Sequence, residues 1–132
     1  MFRSNVLFVT ALFLSVFGTG CGGGKPKEDV AAQLSAAEAA VRNSPTAEAY
    51  VDLSLRYFQA QNYTACVTAA NEAIRRKPEN SVAYNNLAAC YGALGKWDEE
   101  IAAAKQALRL SPDFQLARNN LLWAESQKKA VK

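Results

Sequence analysis

The stretch YNNLAACYGALGKWDEEIAAAKQALRLSP, residues 84–112, has a looser copy in YVDLSLRYFQAQNYTACVTAANEAIRRKP, residues 50–78. Six positions align at a constant spacing of 34: Tyr50, Leu53, Tyr57, Tyr63, Ala73 and Pro78 recur as Tyr84, Leu87, Tyr91, Trp97, Ala107 and Pro112. Six matches in one register mark a duplicated unit. A period of this size belongs to arrays of stacked helical hairpins, in which each unit buries its apolar face against its neighbours.

Each unit reads as two helices. Tyr84, Leu87, Ala88 and Tyr91 fall at i, i+3, i+4 and i+7, one buried stripe; Gly95 turns the chain, and Trp97, Ile101, Ala104, Ala107 and Leu108 pack back before Pro112 stops the second helix. The earlier unit follows the same plan. Tyr50, Leu53, Ser54 and Tyr57 form its first stripe, a turn falls near Gln61 and Asn62, and Tyr63, Cys66, Val67, Ala70, Ala73 and Ile74 form its second. Ser44 or Thr46, and Asn80 or Ser81, are the candidate caps of the two first helices.

Outward from the pair, the period continues. Asn119, Asn120 and Leu121 stand 34 residues after Asn85, Asn86 and Leu87, so the segment from Gln115 reads as a third first-helix without a second. Lys128, Lys129 and Lys132 suit an exposed end. On the other side, Glu28 to Asn43 reads as a lone second-helix with Val30, Leu34, Ala37 and Val41 on one stripe. Half-units that close both ends are what such arrays need for solubility. The expected fold is therefore all-α, an α-solenoid of helix-turn-helix hairpins with about six helices, flanking helices included.

Both stretches resemble the tetratricopeptide repeat, which fixes an aromatic, a Leu, a small residue, a Tyr, a turn, a second aromatic, a small residue and a Pro in one register. The resemblance covers Ala47 to Phe114 and implies a flanking helix over 28–45, repeats over 46–80 and 81–114, and a capping helix and tail over 115–132. The chain departs from that pattern in places. Ser54 and Ala88 replace the usual Gly, Ala70 and Ala104 stand where an aromatic is common, and Glu100 stands where a small residue is expected. Glu100 is expected either to reach water past the core or to loosen the second hairpin, and the alanines to leave the stacking shallow.

In the resembled family the first helix of each pair lines a concave groove. Carried over by register, Val51, Asn85 and Asn119 form one level, Leu55, Ala89 and Trp123 the next, and Phe58, Gly92 and Ser126 lie deeper, with Asp52, Asn86 and Asn120 alongside. Leu55, Phe58 and Trp123 are candidate apolar anchors and the Asn amides candidate donors and acceptors for a peptide or protein. Asn86 and Asn120 also have a structural reading, because Asn is frequent at that place in the family for packing reasons.

The amino-terminal segment is an address. Arg3 and the amino terminus supply positive charge, Val6 to Phe17 is almost wholly apolar, and Gly18, Thr19 and Gly20 lead into Cys21. The run is about a dozen residues, short of the roughly 20 that span a bilayer, so 1–20 reads as a signal peptide. It resembles a bacterial lipoprotein signal, with Gly18 where that family favours Leu. The resemblance implies that Cys21 carries acyl chains and becomes the mature amino terminus. Residues 21–27, CGGGKPK, make a flexible tether. Gly22 after the Cys implies, in a Gram-negative cell, the outer membrane facing the periplasm. An ordinary secretory signal with an incidental Cys is the alternative.

Composition narrows the function further. With 15 Lys and Arg against 12 Asp and Glu, the formal charge of +3 is too mild and too scattered for a nucleic-acid surface. The chain has no His, and no metal cluster, phosphate loop or activated nucleophile is legible. No cofactor or catalytic residue is expected. Cys66 and Cys90 lie 12 residues either side of Pro78, at similar height on antiparallel helices. They either form a disulfide, which an export compartment permits, or occupy two small buried places.

The expectation is a membrane-tethered, non-enzymatic scaffold that binds a protein or peptide of the cell envelope and helps assemble or stabilise a complex there. The bilayer is engaged through acylated Cys21. A self-associating structural lipoprotein is the alternative reading, and an enzyme the remote one.

Overall fold

The computed structural model describes residues 27–131. The signal segment, Cys21 and the tether up to Pro26 lie outside the described residues. Among those residues are six helices: α1 (Lys27–Asn43), α2 (Ala47–Gln59), α3 (Tyr63–Arg76), α4 (Ser81–Ala93), α5 (Trp97–Leu110) and α6 (Gln115–Ala130). Each packs on the next in sequence, as short connections between helices dictate. None is long and apolar enough to cross a membrane. The architecture is the α-solenoid expected from the period.

The helix ends follow from local chemistry. Thr46 and Asn80 are the caps: Thr46 Oγ1 accepts from the Ala49 amide at 3.1 Å, and Asn80 Oδ1 from the Ala83 amide at 3.0 Å. Asn62 caps α3 in the same way, through the Ala65 amide at 3.2 Å. Both hairpin turns need a left-handed residue at the same repeat position, Gln61 at φ 60° and Gly95 at φ 70°. Glycine adopts that conformation freely, whereas Gln61 holds it against its own Cβ.

The core is built largely from alanine. Ala70, Ala73, Ala88, Ala104, Ala107, Ala117 and Ala124 are fully buried, while the larger Val67, Ile74, Tyr91 and Leu121 pack against them only partly covered. Small residues let helices approach closely but remove little apolar area from water.

The first helix keeps a different register. Leu34, Ala37 and Val41 of α1 pack against Tyr50, Leu53 and Tyr57 of α2, as Val67, Ala70 and Ile74 of α3 pack toward Leu87 and Tyr91 of α4. These residues are 33 apart, not 34. The cause is the connection: only residues 44–46 separate α1 from α2, against 77–80 and 111–114 at the later junctions.

Candidate protein-binding groove

The first helices line one side of the array. α2 touches α4 and α4 touches α6, whereas α1, α3 and α5 make no such contact with one another among the described residues. Helices that converge on one side and diverge on the other give that first side a concave surface.

Along that face the asparagines form a ladder. Asn86 Nδ2 donates to the Val51 carbonyl at 3.2 Å and to Ser54 Oγ at 2.9 Å; Ser54 Oγ in turn donates to the Val51 carbonyl at 2.7 Å. One repeat later, Asn120 Nδ2 donates to Asn85 Oδ1 at 3.0 Å. Buried amides without partners are costly, so these bonds fix the spacing of α2, α4 and α6. The structure thus uses Val51, Asn85, Asn86 and Asn120 to join neighbouring first helices. Asn119 is exposed and accepts from Gln115 Nε2 at 2.9 Å.

The apolar candidates are differently placed. Leu55 is 40% exposed and Trp123 57%, one on each outer first helix. Phe58 is half-buried, its ring 5.6 Å from that of Tyr63. Between them stand the small residues Ala89 and Gly92 of α4, and the whole of α4, SVAYNNLAACYGA, carries no charged residue. The result is a trough with an uncharged, small-residue floor and apolar side chains on its walls, the α2 wall also carrying the Asp52–Arg56 ion pair.

Two features lie behind the floor, and the first departs from sequence expectation. Glu100 neither reaches water nor opens the hairpin: it is 2% exposed, and its carboxyl lies against Gly92. In the earlier unit the same two places hold Cys66 and Phe58, so bulk has moved from the first helix to the second. Burial raises the Glu100 carboxyl from 4.5 to about 7, because the charged form loses its water. The exchange was readable by comparing the two units column by column, yet the acid was not among the expected site residues.

The second feature is covalent. Cys66 of α3 and Cys90 of α4 form a disulfide, with Cα atoms 6.0 Å apart. It joins the two hairpins directly beneath the groove helices, and both cysteines are fully buried.

At the amino-terminal end, Arg56 Nη1 donates to Gln33 Oε1 at 2.5 Å and Tyr57 Oη to Glu38 Oε1 at 2.9 Å, tying α1 to α2. The Tyr57 hydroxyl titrates above its ordinary range, first through burial and then through its bond to Glu38. At the other end Lys128 pairs with Asp98, fastening α6 to the start of α5. These contacts hold both half-units in place.

Stacked two-helix units, a concave face of first helices and a left-handed residue at each hairpin turn define a helical-repeat scaffold of the kind that binds other proteins. The chain carries a tetratricopeptide repeat: its residues 69–102 match the Tetratricopeptide repeat family. That window runs from the middle of α3 through α4 into α5, so it crosses the boundary between the two hairpins. No curated protein sequence matches the chain.

Proposed function

We propose that this protein is a membrane-tethered, non-enzymatic interaction module of the bacterial cell envelope, anchored through acylated Cys21, whose concave groove holds an apolar segment of a partner protein. The tetratricopeptide repeat supports the protein partner; the signal-like segment and Cys21 support the anchor. The carrying observation is the trough itself, with Leu55 and Trp123 exposed on either side of an uncharged α4. Exposed apolar walls around a small-residue floor fit side chains entering from outside. With two complete hairpins among the described residues the surface is short, and membrane confinement raises the effective concentration of a weakly bound partner.

The test is crosslinking from membranes followed by capture, with Leu55, Phe58 and Trp123 each changed to Ala. The expected outcome is loss of a discrete crosslinked partner in the Leu55→Ala and Trp123→Ala variants. Undiminished crosslinking in all three would reject the groove.

Self-association is favoured by one separate observation. Leu122 is 61% exposed, although its counterparts one and two repeats earlier, Ala88 and Ser54, are fully buried beneath a second helix. A second copy covering Leu122 gives a sedimentation coefficient that rises with concentration, and Leu122→Lys removes the rise. A single monomeric boundary at every concentration dismisses this reading.

A further inference from the structure

Three equivalent points along the array join a second helix to the next first helix. At the first, the Gln33 carbonyl oxygen accepts from the Arg56 guanidinium. At the second, Cys66 and Cys90 are bonded. At the third the same places hold Glu100 and Ala124, so an acceptor is present and alanine supplies no donor. Glu100 is 2% exposed, and its Oε2 has neither accessible surface nor a hydrogen-bond partner.

This acid lies at the groove. A Cβ added to Gly92 would stand 2.7 Å from Glu100 Oε2 and 2.8 Å from Cδ and Oε1. The carboxyl therefore fills the space that a side chain at position 92 would take, on the central groove helix. Phe58 occupies the matching position on α2. A buried carboxylate without a partner is strongly disfavoured, and a guanidinium satisfies both of its oxygens at once. With no charge on α4, nothing on that helix competes for the cation.

We propose that Glu100, reached past Gly92, is the polar anchor of the groove and receives a guanidinium or ammonium group carried by the bound segment, the donor that Arg56 supplies within the chain at the first junction. The ligand class is thereby narrowed to an apolar segment bearing one cationic side chain. This assignment rests on the groove reading above.

The experiment uses the full chain labelled with 13C at its carboxyl groups and titrated with methylguanidinium chloride, with sodium chloride as control. The Glu100 carboxyl and the Gly92 amide are expected to shift together and saturably. Glu100→Gln weakens the apparent affinity by about tenfold or more, the loss of one charge-assisted pair. Ala124→Arg places the donor inside the chain, as at Arg56, and abolishes the response.

A Glu100 resonance that moves no more than that of exposed Glu79 overturns the proposal, as does a Gly92 response unchanged in both variants. Such a failure leaves the groove reading intact, because crosslinking tests that independently. Saturable methylguanidinium binding without any crosslink from the groove would instead refute the groove as the source of the cation.

Discussion

Changing Glu100 to Gln keeps the shape of a buried side chain and removes its charge. In the folded protein the carboxyl titrates at about 7 because burial strips it of water, against 4.5 when unshielded. Between these values the folded chain holds a proton that the unfolded chain has lost, so stability falls as pH rises. The contribution is fully present below 4.5 and is lost as pH passes through 7. A displacement of that size corresponds to at most roughly 3 kcal/mol. Glu100→Gln stays neutral throughout. It is therefore expected to be more stable than the parent at pH 8, by about 1–3 kcal/mol, and nearly equal to it at pH 4.5. Urea unfolding followed by far-ultraviolet circular dichroism at several pH values, with the disulfide intact, measures this directly. Other titrating groups, including the half-buried Glu72 held below its usual range first by its hydrogen bond to Arg75, cancel in the difference between the two proteins. Parallel stability curves for parent and variant across pH 4.5–8 would refute the reasoning.

Other expected outcomes follow from single contacts. Gly92→Ala drives a Cβ into the Glu100 carboxyl and destabilises the fold by about 1–3 kcal/mol; in a Glu100→Ala background the same change is neutral or stabilising, and additive effects in the double-mutant cycle would contradict the contact. Gln61→Gly relieves a left-handed residue at φ 60° and raises stability by about 0.5–1 kcal/mol, so an unchanged or lower denaturation midpoint counts against it. The Cys66–Cys90 disulfide closes a loop with a sequence separation of 24, and reduction lowers stability by about 3 kcal/mol. Alkylation of both cysteines in the denatured, unreduced protein, read by intact mass, would show that no bond was present.

The period made most of the fold legible. Aromatic, Leu and Pro positions set 34 residues apart fix where helices begin and end, since each marks either a buried stripe or a stop. The symmetric placement of Cys66 and Cys90 about Pro78 located their contact, because antiparallel helices bring equidistant residues to equal height. The first helix was less readable in its register: one residue fewer in the 44–46 connection shifts α1 by a step that only packing reveals. The Asn amides were ambiguous for a similar reason. Their direction along the helix decides whether they serve a neighbour or a ligand, and hydrogen bonds to Val51 and Asn85 show that Asn86 and Asn120 serve neighbours. Glu100 was misjudged because its environment depends on an absence, the side chain that Gly92 lacks.

The most direct test of the central claim installs a photoactivatable amino acid at Ala89, on the groove floor, and separately at exposed Ala102 on the outer helix α5. Irradiation in intact cells is predicted to give a discrete protein adduct from position 89 and none from position 102. An adduct from position 102 alone, or equal adducts from both, would contradict the concave face as the binding surface.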